Sequence, residues 1–171
     1  MKIFGPKSLS HYLFYLSRAA AFGSIILLSY ILLSLVFGNF EIINEQFQIG
    51  IPLLPETYIK GFYKSNIIIT ISIAMLFFAL FFYLLSNVLK VFKADKLFTS
   101  KAIKVLNQFA ILNLVIGPIV YLTIHFIIMN KSNFSDIYNL FLSLLLGVFV
   151  LFIVAVFKKG YNVQSENDLT I

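Results

Sequence analysis

Residues 65–89 read SNIIITISIAMLFFALFFYLLSNVL and contain no charged side chain. Three further uncharged stretches occupy residues 19–40, 105–130 and 137–157. Each is longer than the ~20 residues that an α-helix needs to cross the hydrocarbon core of a bilayer. Because lipid offers no partner to backbone N–H and C=O groups, continuous apolar runs of this length are expected to be helices. The sequence therefore predicts an all-α membrane protein, a bundle of four transmembrane helices.

The composition agrees with a lipid environment. Hydrophobic residues make up 60% of the chain and charged residues 12%, whereas a soluble domain carries roughly 25% charged residues. We expect one membrane domain over residues 1–171, with the lipid bilayer as its surroundings. Its predicted parts are spans at about 12–38, 65–89, 102–130 and 136–157, connections at 39–64 and 90–101, and a tail at 158–171.

The basic residues predict how the chain is oriented, since positively charged flanks are retained in the cytoplasm. One side of the predicted topology has Lys60, Lys64 and Lys131. The opposite side has the other ten of the 13 basic residues: Lys2, Lys7, Arg18, Lys90, Lys93, Lys96, Lys101, Lys104, Lys158 and Lys159. We therefore expect both termini on the cytoplasmic side of the cell membrane. The net charge of +6 is assigned to this role, and no direct binding of nucleic acid is expected.

Arg18 falls inside the first two turns of the first predicted helix. A long side chain at that depth can extend to the headgroups, a behaviour known as snorkelling. The alternative is a buried, functional charge.

The connection at 39–64 contains a strand pattern. Phe47, Ile49 and Ile51 alternate with Gln48 and Gly50, as in a half-buried β-strand. A turn at residues 44–46 would make a small extracytoplasmic β-hairpin with residues 40–43, and Pro52 and Pro55 are expected to end the strand. A ligand-sensing loop is the alternative.

The third span holds most of the polar residues inside the membrane. Pro118 has no N–H and crowds the carbonyl of Leu114, which predicts a kink at Gly117-Pro118 that serves either packing or gating. Asn113 is expected to bond to a neighbouring helix. His125 is expected near the outer membrane face, either as an interfacial residue or in a proton relay.

Small residues four positions apart allow helices to approach closely. Ala19 with Gly23 and Ala20 with Ser24 on the first helix, and Ser143 with Gly147 on the fourth, have this spacing. These pairs are predicted to lie at helix contacts.

No motif for catalysis is found in the sequence. Cysteine is absent, and the spacings typical of metal sites, nucleophile elbows and phosphate-binding loops do not occur. His11 and His125 are expected near opposite membrane faces, and no carboxylate falls in the four uncharged stretches. We therefore expect no enzymatic activity, catalytic residue, metal site or cofactor.

The connection at 90–101 leads into the third helix. Thr99 or Ser100 can cap the start of that helix by accepting a backbone N–H. Ala102 and Leu106 would then lie opposite Lys101 in an amphipathic first turn at the membrane surface.

Two segments carry a family resemblance: Lys93-Ala94-Asp95-Lys96-Leu97-Phe98-Thr99, and the C-terminal run Phe157-Lys158-Lys159-Gly160 with Glu166-Asn167-Asp168-Leu169-Thr170-Ile171. They resemble the bacterial membrane family called domain of unknown function 2975. The resemblance implies four helices and no established activity. It also implies a cytosolic partner, since members are often encoded beside a small helix-turn-helix regulator. Ala102 departs from the asparagine that the family often has at that position, which weakens any polar role there.

The same two segments are the candidate docking surface for a partner. The candidate docking residues are Lys93, Lys96, Phe98, Lys101, Asp168, Leu169 and Ile171. The leading hypothesis is a non-enzymatic membrane protein that recruits or restrains a cytosolic partner. The simpler explanations are that the first segment only anchors the chain by its positive charge and that the C-terminal run is only a solvated terminus. Two alternatives are a small transporter or channel subunit, with Asn113, Gly117, Pro118 and His125 along its path, and a lipid-binding accessory subunit. Self-association into a homo-oligomer is left open.

Overall fold

The computed structural model describes residues 3, 5, 7–52, 54–94, 96–134 and 137–168. Within this part the chain forms four long apolar helices and one small sheet. The helices are α1 (Leu9–Phe37), α2 (Ser65–Phe92), α3 (Ser100–Ile128) and α4 (Ile137–Asp168). Each is long and apolar enough to cross a membrane, which confirms the predicted number of spans.

The helices pack in chain order. α1 packs on α2, α2 on α3, and α3 on α4, and within the described residues these neighbouring pairs make the main interhelical contacts. The four helices therefore form a row in chain order, in which α4 also meets α2: the ring centroids of Phe92 and Phe157 are 5.8 Å apart.

Contacts at one end of the row bring several chain segments together. The N–H of Gly5 donates to the carbonyl of Phe92, 3.1 Å away, and the ring of Phe98 packs against Gly160 of α4. The start of α1, the end of α2, the start of α3 and the end of α4 thus share one end, here called the basic end. The opposite end carries the sheet and is called the sheet end.

The face that α1 presents to α2 is only in part the predicted one. Its buried residues include Ser17, Ala21 and Leu28, which recur at helical spacing on one side. The prediction that Ala19 and Gly23 mark a close contact is wrong, because both are exposed on the described α1 and a Cβ added at Gly23 would meet nothing within 4 Å. The other predicted pair, Ala20 and Ser24, is half-buried.

The predicted hairpin is confirmed. β1 (Glu41–Ile43) pairs antiparallel with β2 (Gln46–Ile51). The turn residues Asn44 and Glu45 have φ angles of 52° and 63°, and two such left-handed positions in succession are typical of a type I′ turn. Phe47 and Ile49 of β2 are each only 1% exposed and pack beside Ile31 of α1, so the sheet covers the ends of the helices.

A third strand was not predicted. β3 (Leu54–Phe62) pairs antiparallel with β2, and the sheet order is β1-β2-β3. The register shifts between Gly50, which opposes Tyr58, and Ile51, which opposes Leu54. Pro55 falls in this bulge on an edge strand, where the missing N–H interrupts no ladder hydrogen bond. β2 ends at Ile51, directly before Pro52, as predicted, whereas Pro55 lies within β3 and did not end the sheet.

The start of α3 follows the prediction. Oγ1 of Thr99 accepts a hydrogen bond from the N–H of Ala102 at 3.1 Å. Ala102 and Leu106 are buried while Lys101 is exposed, so the first turns are amphipathic. The last helix, α4, continues to Asp168, so most of the predicted tail at 158–171 extends α4 beyond the membrane-length apolar run.

Candidate functional site

Two turns of α3 are π-helical, at Leu112–Ile116 and Thr123–Ile128. At the first, the N–H of Gly117 bonds to the carbonyl of Leu112, and Pro118 has no N–H to give. The carbonyl of Asn113 is consequently left without a donor from its own helix. Such π-helical turns occur often at functional sites, so residues 112–128 of α3 are a candidate functional region.

The neighbouring helix α4 supplies the missing donor. Oγ of Ser143 donates to the carbonyl of Asn113 at 2.8 Å. A Cβ on Gly117 would stand 2.5 Å from that Oγ, so the absent side chain of Gly117 makes room for the bond. Pro118, Gly117 and Ser143 thus act together in one hydrogen-bonded contact between α3 and α4.

One helical turn further along α4, Gly147 lies against Leu114. A Cβ on Gly147 would be 2.5 Å from Cγ of Leu114. The prediction that Ser143 and Gly147 mark a close helix contact is therefore confirmed.

The side chain of Asn113 is 2% exposed. Its amide nitrogen donates to the carbonyl of Phe109 at 2.8 Å, within α3. The expected bond to a neighbouring helix exists, but it is made by the backbone carbonyl of Asn113. The sequence could not show this, because the carbonyl becomes available only through the π-helical turn.

His125 is buried at the sheet end of α3. Its Nε2 is hydrogen-bonded to the carbonyl of Asn133, and its ring stacks between Tyr121 and Phe134 at centroid distances of 5.4 and 6.5 Å. These contacts tie residues 133 and 134 back onto α3. His125 thus has a structural role in this part of the chain, and its place relative to the membrane face stays a prediction.

A cavity of about 440 Å³ lies between α2, α3 and α4 and is here called the central cavity. Phenylalanines of α2 form one wall, and the polar groups gather on α3 and α4. Its lining residues are Ala74, Phe77, Phe78, Phe81, Asn113, Gly117, Val120, Tyr121, Ile124, Asn139, Leu140, Leu142, Ser143 and Leu146. The π-helical turn and the bond from Ser143 thus shape part of its surface.

A second cavity, of about 340 Å³, lies nearer the sheet end and is here called the sheet-end cavity. Its lining residues are Thr70, Ala74, Tyr121, Ile124, His125, Met129, Lys131 and Asn139. Ala74, Tyr121, Ile124 and Asn139 line both cavities, so the two adjoin. Oγ1 of Thr70 is buried and has no hydrogen-bond partner among the described residues.

Toward the basic end the contact between α3 and α4 is filled. Buried apolar side chains of the two helices pack together there, and Leu106, Phe109, Leu112, Val150 and Val154 are each at most 4% exposed. The adjoining cavities therefore lie in the half of the protein near the sheet.

At the basic end Arg18 contacts α2. Its Nη2 donates to Oδ1 of Asn87 at 3.0 Å, and its guanidinium carbon lies 4.5 Å from the ring centroid of Tyr83. Arg18 therefore connects α1 to α2 through its guanidinium group. This contact was not among the two roles predicted from the sequence, snorkelling to the headgroups and a buried functional charge. Asn87 was not singled out in the sequence, because an isolated asparagine near a helix end has no distinctive pattern.

A third cavity, of about 420 Å³, opens at the basic end and is here called the basic cleft. Its lining residues are Asn87, Lys90, Val91, Ala94, Lys96, Thr99, Lys101 and Val105. Two of the candidate docking residues, Lys96 and Lys101, thus belong to the cleft.

The other candidate docking residues have different surroundings. Nζ of Lys93 lies 4.0 Å from the ring centroid of Phe14. Phe98 is half-buried, with its ring centroid 5.2 Å from that of Phe157, so it contributes to the packing of α3 on α4. Asp168 is the last residue of α4, and Leu169 and Ile171 lie outside the described residues.

The metal-binding groups of the described residues are dispersed. No cluster of three or more histidine and carboxylate side chains that could hold a metal ion occurs among them.

Comparison with known families identifies the group to which this chain belongs. Residues 9–171 match the family described as protein of unknown function (DUF2975). The chain belongs to this family. The resemblance noted in the two basic-end segments is thereby confirmed, and the DUF2975 match extends over all four helices and the sheet. No curated protein and no solved structure matches the chain.

Proposed function

We propose that this DUF2975 protein is a non-enzymatic multi-pass membrane protein that binds an amphiphilic molecule between α2, α3 and α4. The proposal rests on one observation: the lining of the adjoining cavities changes from aromatic in the central cavity to more polar in the sheet-end cavity. The central cavity has Phe77, Phe78 and Phe81 on one wall, while the sheet-end cavity has Thr70 and Lys131.

The phenylalanine wall suits an apolar chain. Aromatic side chains offer large contact areas to a ligand, and ligand sites are typically apolar with a few convergent polar groups. The apolar part of the ligand is accordingly assigned to the central cavity.

The polar end of the ligand is assigned to the sheet-end cavity. The hydroxyl of Thr70 is buried without a partner among the described residues, and an unpaired buried polar group costs about 1–3 kcal/mol. A ligand group that bonds to this hydroxyl removes the cost. Asn139 and Lys131 line the same cavity and add polar contacts.

The filled half of the α3–α4 contact favours binding over conduction. A channel needs a hydrated path from one end to the other, and the apolar cluster around Phe109 and Val150 occupies the basic half. A transporter or channel subunit, the alternative from the sequence, requires α3 and α4 to separate there. The geometry therefore supports a binding protein better.

Filling the cavities tests this proposal. Ala74 lines both cavities, so Ala74→Phe places a ring inside them, whereas Ile69→Phe adds the same ring at a residue of α2 that is 48% exposed. With laurate as the probe, native mass spectrometry of the detergent-purified chain is expected to show bound laurate in wild type and in Ile69→Phe. Ala74→Phe is expected to retain about tenfold less, since the ring takes the space of the ligand chain. Equal retention in the two variants contradicts the proposal.

A second function is proposed for the basic end, where α4 continues past the apolar run with exposed Lys158 and Lys159. If this end is cytoplasmic, as the distribution of lysines predicts, it can recruit or restrain a cytosolic protein such as a small helix-turn-helix regulator. Deletion of residues 166–171 is expected to weaken capture of that regulator in a pull-down. Unchanged capture after this deletion combined with changes in 90–104 rules the second function out.

A further inference from the structure

The basic cleft presents hydrogen-bond donors. Lys90, Lys96 and Lys101 are exposed and line its rim, and Asn87 and Thr99 are half-buried. An ammonium group has three donors and no acceptor. Within the described residues no carboxylate oxygen lies within 4.0 Å of these three lysine nitrogens, and the ion pair found there, Lys64 with Glu45, is at the sheet end.

Two hydrogen bonds set the chemistry of the half-buried residues. Arg18 can only donate, so its contact with Asn87 occupies the amide oxygen. The amide NH₂ carries two hydrogens: one is shared with the hydroxyl of Tyr83, and the other is left for a further partner. Oγ1 of Thr99 accepts from the N–H of Ala102, which leaves its own hydroxyl hydrogen to donate. The polar side chains of the cleft therefore offer donors to a group rich in acceptor oxygens.

We propose that the basic cleft binds the phosphate group of an anionic phospholipid. Three ammonium groups attract the negative charge of the phosphodiester, and Asn87 and Thr99 provide directional donors to its oxygens. Val91 and Val105 line the same cleft, at the ends of the two apolar helices. An acyl chain can follow these helices while the headgroup lies in the cleft, which favours a lipid over free phosphate. Arg18 is a positioning residue, because it acts by orienting Asn87.

This site is separate from the cavities assigned to the amphiphile. The basic cleft lies at the end of α2, the amphiphile cavities lie from its middle toward the sheet end, and the cleft shares no lining residue with them. Failure of one proposal leaves the other unaffected.

The test compares two triple variants that remove the same charge. Lys90→Gln, Lys96→Gln and Lys101→Gln together alter the cleft, while Lys104→Gln, Lys158→Gln and Lys159→Gln alter exposed lysines elsewhere on the described chain. The full-length protein in neutral detergent is titrated calorimetrically with dihexanoyl phosphatidylglycerol, dihexanoyl phosphatidylcholine and inorganic phosphate.

Wild type is expected to bind the phosphatidylglycerol more tightly than the other two probes. The cleft variant is expected to raise its Kd at least about tenfold, because each lysine near an anionic headgroup contributes to binding. The control variant is expected to change it less than about threefold.

A further variant separates directional binding from general attraction by charge. Asn87→Leu leaves all lysines in place and is expected to raise the phosphatidylglycerol Kd about threefold or more, through loss of the amide donor. The proposal is overturned if wild type does not bind phosphatidylglycerol, or if the two triple variants weaken binding equally. Binding of inorganic phosphate as tight as that of phosphatidylglycerol shows free phosphate to be the ligand and also overturns it.

Discussion

The substitution Gly117→Ala tests the hydrogen-bonded contact between α3 and α4 at Ser143. A Cβ at this position would lie 2.5 Å from Oγ of Ser143 and 3.4 Å from the carbonyl oxygen of Leu112. The serine must therefore rotate or α4 must move away. In either case the 2.8 Å bond from Ser143 to the carbonyl of Asn113 is lost, and Pro118 prevents the helix from replacing it.

The magnitude follows from three terms. Overpacking costs about 1–3 kcal/mol, and loss of an interhelical hydrogen bond in a membrane costs about 1 kcal/mol. Replacing a helical glycine by alanine returns up to about 1 kcal/mol. We expect Gly117→Ala to lower the free energy of unfolding by about 1–3 kcal/mol as the sum of these terms.

The assay is equilibrium unfolding in mixed detergent micelles, followed by far-ultraviolet circular dichroism. Gly23→Ala is the matched control, because a Cβ at Gly23 meets nothing within 4 Å, and it is expected to be neutral or slightly stabilising. Ser143→Ala removes the obstructing atom, so the double variant Gly117→Ala with Ser143→Ala avoids the overpacking and loses the shared hydrogen bond only once. It should therefore lose about 2–4 kcal/mol less than the sum of the single variants. Strict additivity, or equal effects of the two glycine variants, refutes the reasoning.

Three further predictions concern the sheet and the termini. Phe47→Ala removes a ring that is 1% exposed, and its expected cost of about 3–5 kcal/mol should appear as faster hydrogen exchange in β2 and β3 while α3 is unchanged. Glu45→Gly is expected to slow proteolysis of the hairpin, since a φ of 63° is unfavourable for glutamate and is tolerated by glycine; faster cleavage contradicts this expectation. Tags placed before residue 1 and after residue 171 are expected to be protected on the same side of sealed vesicles, and protection of only one disproves the predicted topology.

The features that sequence predicted well depend on local patterns. Four membrane-length helices follow from uncharged stretches, and the hairpin follows from alternation around Phe47 and Ile49 together with turn residues. The cap at Thr99 is likewise a short-range signal. These features are visible without knowing which helix lies beside which.

The features that were missed depend on tertiary contacts. β3 contains a proline that is tolerated only because the strand is at an edge and has a bulge. The partner of Arg18 is 69 residues away, and the role of Ser143 required knowing that α4 lies against the π-helical turn of α3. The candidate site was therefore predicted in part: Asn113 and Gly117 were identified, whereas Thr70 and the phenylalanine wall were not.

The packing of helices in chain order has a consequence for biosynthesis. As each helix leaves the insertion machinery, the helix made just before it is already in the bilayer and is its principal neighbour, so no helix has to wait for a distant partner. The central cavity is the exception, since α4 closes one of its walls. The amphiphile site is thus completed only when the last helix has been inserted, and a chain interrupted before Ile137 should fold α1 and α2 together without acquiring it.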